Sequence, residues 1–129
     1  MNTTRTEFLL LFPLFGLLAS CSSIPNANTT ELMVNGNCDM CVESIEAAVE
    51  QPGLSKGSWD PDTRVAILTF DSTRTSKEAV LRRIANSGYD NEMYLAPDAA
   101  YANLPLCCQY ERTGTTITPP AKGTSGHGH

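Results

Sequence analysis

Leu32-Met33-Val34-Asn35-Gly36-Asn37-Cys38-Asp39-Met40-Cys41-Val42 runs from an apolar, strand-like stretch through a glycine loop into two thiols that open a helix-like run ending at Val49. At a helix N-terminus the unpaired N–H groups and the positive end of the macrodipole favour negative charge. A cysteine there ionises more readily than a free thiol. The two-residue spacer lets both sulfurs point at one place, which suits a two-sulfur Cu(I) site or half of a tetrahedral zinc site. The same spacing also serves a redox dithiol, or is incidental, so the flanking pattern has to decide.

Outward from this loop, Glu31 to Asn35 reads as a first strand with Leu32 and Val34 on one face. The helix carries Val42, Ile45, Ala48 and Val49 as an apolar stripe, with Glu43, Glu46 and Glu50 on the opposite, solvated side. Pro52-Gly53 stops it. Leu54 to Trp59 is a second strand, Asp60-Pro61-Asp62-Thr63 a turn, and Arg64 to Phe70 a third strand. Apolar residues on both alternating faces (Val65 and Ile67; Ala66, Leu68 and Phe70) give that third strand a central place in the sheet. Thr75-Ser76-Lys77-Glu78 reads as a capping box with Thr75 as N-cap, opening a helix whose Val80, Leu81, Ile84 and Ala85 face inward. Gly88 ends it in the left-handed region, and Tyr89 to Leu95 follows as an edge-like fourth strand. The order is βαββαβ, an α+β ferredoxin-like arrangement with an antiparallel sheet and two helices on one face.

Strand, Gly-containing CxxC loop, helix stopping in Pro52-Gly53-Leu54, Trp59-Asp60 hairpin and Ser87-Gly88-Tyr89 helix end together resemble the heavy-metal-associated domain of copper chaperones, metal-pumping ATPases and periplasmic mercury-binding proteins. The resemblance spans residues 31–95. It implies that Cys38 and Cys41 are metal ligands and that Tyr89 lies near the metal as a shield. The loop departs from the family, which writes Gly-Met-Thr-Cys: Gly36-Asn37-Cys38 is one residue shorter and lacks the methionine that anchors the loop. Met40 lies inside the spacer, where its thioether either packs on the helix start or reaches a soft ion.

Residues 96–112 form an extension too apolar for a linker, with Tyr101, Leu104, Leu106, Tyr110 and the adjacent thiols Cys107 and Cys108, and it is expected to pack on the domain. Vicinal cysteines do not readily form an unstrained disulfide with each other. Cys107 and Cys108 either complete a four-thiolate site with Cys38 and Cys41, form a second soft-metal site, cross-link to the CxxC as a redox device, or are inert. Residues 113–129 read as a disordered Thr, Gly, Pro and Ser tail ending in His127 and His129, a solvated end or a weak Cu(II) or Zn(II) hook.

At the other end, Phe8 to Leu18 is an apolar run interrupted by Pro13 and Gly16, too short to span a bilayer and fit for an export signal. Leu18-Ala19-Ser20-Cys21 resembles the bacterial lipobox. Residues 1–20 are then a lipoprotein signal peptide, Cys21 the lipidated residue and 21–30 a flexible tether. This places the chain in the bacterial cell envelope, periplasmic or at the outer membrane, touching membrane only through its lipid.

The chain has 129 residues and a net charge of −5, without a basic run, which argues against a nucleic-acid partner. A core of this size is small for a catalytic array, so a non-enzymatic monomeric binding module is expected. The first expectation is a soft cation held by a thiolate pair for transfer or sequestration: Cu(I) first, Hg(II) close behind, Zn(II) if the vicinal thiols join. A metal-donating or metal-accepting protein, such as a metal transporter, is the partner implied. A thiol–disulfide redox protein and a four-cysteine zinc module that staples a small core are the alternatives.

Overall fold

The computed structural model describes residues 23–117. The export signal, the Cys21 anchor and the His127 and His129 end lie outside the described residues. In chain order the elements are β1 (Ala27–Met33), α1 (Asp39–Val49), β2 (Ser55–Asp60), β3 (Val65–Asp71), α2 (Lys77–Asn86), α3 (Asp98–Ala102) and a 3-10 turn (Leu106–Cys108). β1 begins at Ala27, so residues 27–30, expected as tether, are already in the sheet. Among the described residues no helix is long and apolar enough to cross a membrane.

The sheet order is β1-β3-β2, all antiparallel, with Ala66 opposite both Leu32 and Trp59. β3 is central, as its apolar content requires. Period-2 alternation turns Ala66, Leu68 and Phe70 to the helices, together with Leu32 and Trp59, while Ile67 on the other face stays 47% exposed. From the helices come Cys41, Ile45 and Val49 of α1 and Val80, Leu81, Ile84 and Ala85 of α2. The α+β ferredoxin-like class therefore holds, with one layer of helices on one face of the sheet.

Two local expectations are corrected. The fourth strand does not form: Tyr89 to Leu95 contributes a single bridge, Val34 to Asn91. The Asn35 N–H donates to Asp90 O at 2.8 Å and the Glu92 N–H to Met33 O at 3.1 Å. Beyond that point Asn91 Oδ1 accepts the N–H groups of Met93 at 3.1 Å and Tyr94 at 3.0 Å, turning the backbone away from the ladder. The N-cap of α2 is Ser76, whose Oγ accepts the Ala79 N–H at 3.1 Å, not Thr75. The Thr75 N–H is still engaged with Asp71 O in the preceding turn, so helical geometry starts one residue later and no capping box forms.

The end of α1 is closed from outside. The Arg83 guanidinium donates to Ala48 O and Val49 O, both at 3.1 Å, and to Ser55 Oγ at 2.8 Å, satisfying carbonyls the helix leaves open. Gly88 has φ +109°, and a Cβ there would lie 2.9 Å from Ala100 O and from the Leu104 side chain. That close approach lets the extension fold back over the domain.

The extension is held by polar contacts around an apolar centre. The buried Tyr110 ring stacks on Tyr89 at 6.1 Å and meets the edge of Tyr101 at 5.2 Å. Its hydroxyl accepts the Asp90 N–H at 2.7 Å and donates to Gly88 O at 2.9 Å. Arg112 grips both Asp90 carboxylate oxygens, at 2.9 and 2.8 Å, and also donates to Ala96 O at 2.8 Å. Tyr110→Phe keeps the ring but orphans two buried backbone groups, and is expected to cost about 1–3 kcal/mol. Urea unfolding followed through Trp59 emission measures it, and an unchanged midpoint would show that water replaces the hydroxyl.

Candidate metal centre

The periodicity of α1 decides where each sulfur of the loop goes. At 3.6 residues per turn, Cys41 heads the buried stripe that continues through Ile45 and Val49. Met40, one residue earlier, is rotated out and 57% exposed. Cys38 is the N-cap of α1, in extended geometry and half-buried, and its carbonyl accepts the Cys41 N–H at 2.9 Å.

The 3-10 turn brings the other thiols over this loop. Asn37 Nδ2 donates to Cys107 O at 3.5 Å and the Cys38 thiol donates to the same oxygen at 3.4 Å. Cys108 is buried beneath that contact and Cys107 is exposed. The Sγ atoms of Cys38, Cys41 and Cys108 all lie within 4.8 Å of one another. Cys107 stays outside this set: its thiol is 3.3 Å from Met40 Sδ and 4.0 Å from Cys108 Sγ. The four-thiolate cluster considered from the sequence is thus three inner thiols and one outer one. None of these four cysteines is in a disulfide.

Electrostatics separate the inner thiols. Burial pushes the Cys41 thiol up, but hydrogen bonds from the backbones of Asn37 and Cys38 and from the Cys108 and Cys38 thiols outweigh it. Its pKa lies below the ordinary value. The Asn37 N–H reaches Cys41 Sγ at 3.5 Å. Cys108 moves the other way, pushed up to about 12 by burial first and then by hydrogen bonding and charge repulsion with Cys41. The arrangement is one thiolate-prone sulfur held by donors, two of them neighbouring thiols.

Tyr89, expected near the metal, is fully buried with its hydroxyl facing Ser44, Cys41 and Cys108, and burial holds that phenol well above its usual range. The hydroxyl has no hydrogen-bond partner among the described residues. A buried donor aimed at sulfurs and otherwise unused is available to a thiolate or to a group bound by one.

Trp59 supports the cysteine loop at Gly36. Its ring lies under Gly36, its Nε1–H donates to Val34 O at 3.1 Å, and its backbone N–H donates to Glu46 Oε1 at 3.0 Å. One member of the acidic stripe on α1 is therefore structural. Sequence reading did not find this support, nor the Tyr110, Arg112 and Asp90 clasp that seats Cys108. Paired aromatics and a lone Arg within the extension were the available signal.

No protein-family model matches the chain, and no solved structure matches it. The mercuric transport protein periplasmic component of Shewanella putrefaciens is 30% identical over 87 residues, covering 66% of this chain and 94% of that protein. The chain belongs to this family. A second relative of the same description, from Pseudomonas aeruginosa, is 33% identical over 67 residues, covering 50% of this chain and 74% of its own length. The inner sulfur set of this chain draws on two places: the N-cap and first turn of α1, and the 3-10 turn.

The loop has little room for change. A Cβ at Gly36 would fall 2.7 Å from Trp59 Cη2, and the ring is pinned by its own hydrogen bond. Gly36→Ala is expected to cost about 1–3 kcal/mol by overpacking. A shifted Trp59 emission maximum together with a lowered denaturation midpoint is the expected signature.

Proposed function

We propose that this protein binds a soft, thiophilic heavy-metal cation as cargo in the cell envelope and passes it to a partner by ligand exchange. Cys38, Cys41 and Cys108 are the proposed donors. One observation carries the reading: three free thiols from two distant parts of the chain converge within 4.8 Å. With the zinc–thiolate length of about 2.3 Å as a scale, sulfurs on opposite sides of an ion sit about 4.6 Å apart and three in a plane about 4.0 Å apart. The set is sized to close on one ion.

The donor chemistry favours a soft ion, since thiolates select soft cations over hard ones. Hg(II) is the first ion to test, because both relatives are named for mercuric transport in the periplasm. Cu(I), first in expectation from the sequence, shares the preference and is the alternative. A closed tetrahedral Zn(II) site takes a fourth ligand, and Cys107 is turned toward Met40 instead. The role proposed is binding and transfer without catalysis. A lipid at Cys21 would tether the domain at a membrane surface, and the partner would be a metal transporter or another protein with exchangeable thiols.

The test is anaerobic titration of the reduced full chain with Hg(II), Cu(I) and Zn(II), followed by thiolate-to-metal charge-transfer absorbance. A single tightly held soft ion per chain is expected, lost when Cys38→Ser and Cys41→Ser are combined. Tight binding that survives that pair would sink the reading.

The pH dependence distinguishes the third ligand. With its pKa near 12, Cys108 is a thiol at neutral pH, so ligation there expels a proton and affinity falls as pH falls. Cys108→Ser should lower affinity and make its pH dependence shallower by about tenfold per pH unit. An unaltered slope would place Cys108 outside the bound complex.

A further inference from the structure

The sulfurs of this domain are graded from surface to interior. Met40 is 57% exposed, and its Sδ lies 3.3 Å from the exposed Cys107 thiol. Cys107 Sγ lies 4.0 Å from Cys108 Sγ, which is buried and belongs to the inner set with Cys41 and Cys38. Cys41 and Cys108 are 0% and 1% exposed, so within the inner set only the half-buried Cys38 presents sulfur to an incoming thiolate complex, and Cys108 is reached through Cys107.

We propose that Cys107 and Met40 form an outer receiving position for the soft cation, which then moves through the vicinal Cys108 into the inner set. The proposal deepens the reading of Cys38, Cys41 and Cys108 as the resident site and rests on it.

Three observations support it. The outer pair is a thiol and a thioether, the donor types that select soft ions, with no nitrogen or oxygen ligand in the pair. The step from Cys107 to Cys108 is 4.0 Å, shorter than twice a thiolate–metal bond of about 2.3 Å, so one ion can touch both sulfurs during the move. The receiving thiol is also held in register: Cys107 O accepts from both Asn37 Nδ2 and the Cys38 thiol, which ties the outer turn to the loop it feeds.

The exchange balances without electron transfer. The ion arrives as a complex with a small thiolate. Cys107 forms a sulfur–metal bond as one donor thiolate leaves, and the Cys107 proton goes to that leaving thiolate. In the second step Cys108 bonds the ion, the Cys107–metal bond breaks, and the Cys108 proton passes to the Cys107 thiolate. Cys41 then bonds the ion as the second donor thiolate leaves with the Cys41 proton, and Cys38 joins as its proton goes to solvent. The ion keeps its oxidation state throughout, and reversing the steps unloads it to a partner.

The experiment is stopped-flow loading of the reduced full chain from the Hg(II) bis-glutathione complex, read by charge-transfer absorbance, with equilibrium affinity measured in parallel. Cys107→Ser is expected to slow loading about tenfold, as access to an exposed sulfur is lost, while the final affinity stays close to that of the unaltered chain. Met40→Leu keeps the apolar volume, removes the thioether and should slow loading by a smaller factor. It also serves if the serine variant does not fold. Loading at the original rate in both variants overturns the relay and leaves the inner site standing. A Cys107→Ser loss of affinity as large as that of Cys108→Ser also overturns it, by making Cys107 a resident ligand. Failure of the unaltered chain to take up Hg(II) removes the resident site itself, a result separate from either.

Discussion

Asp90 is the residue through which the two sulfur-bearing parts of the chain are held against each other. Its backbone carbonyl accepts the Asn35 N–H at the entrance to the cysteine loop, and its backbone N–H is taken by the Tyr110 hydroxyl. Its buried carboxylate accepts from the Ala96 N–H at 2.7 Å and from two nitrogens of Arg112. A buried ion pair of this kind gains little net stability over a well-packed apolar equivalent, because both charges give up water. What it supplies is direction: the fork geometry of Arg112 fixes where the chain after Cys108 must go. The fully exposed Asp98 carboxylate on the far side of the guanidinium adds only a solvent-screened contact.

Seen from Asp90, the aromatic cluster and the sulfur cluster are two faces of one wall. Tyr89 precedes Asp90 and faces both: its ring stacks on Tyr110, and its hydroxyl faces the thiols. The 3-10 turn then needs only a short step from the clasp to reach the start of α1. The core of Leu32, Ile45, Leu68, Leu81 and Ile84 is apolar and runs without a break into Cys41 and Cys108, so the inner thiols pack at the edge of the same cluster.

The elements built on local pattern were legible in the sequence. The alternating apolar content of β3 gave its central place, the spacing of Ile45 and Val49 gave the buried stripe of α1, and Gly88 marked the end of α2. The convergence of Cys38 with Cys41 followed from their two-residue spacing at a helix start. What escaped depended on competition or on distance along the chain. Asn91 looked compatible with a strand until its own side chain captured the backbone behind it. Thr75 and Ser76 are both capable N-caps, and only the preceding turn chose between them. Which of Cys107 and Cys108 faces inward has no local signal, since adjacent residues in a short turn differ only by rotation, and the rotation is set by Tyr110 and Arg112 from beyond it.

The contact between Cys38 and the Cys107 carbonyl joins residues 69 positions apart. An ion held by Cys38, Cys41 and Cys108 therefore ties a ring that encloses most of the folded domain. Closing a loop of that length removes unfolded-chain entropy equivalent to about 4 kcal/mol in the chain-entropy treatment of cross-links. Under the proposed function the cargo would be a topological fastener. Loaded and empty protein would then differ in how readily the chain opens from its C-terminal side, and each unloading would loosen the segment that carries the proposed receiving thiol.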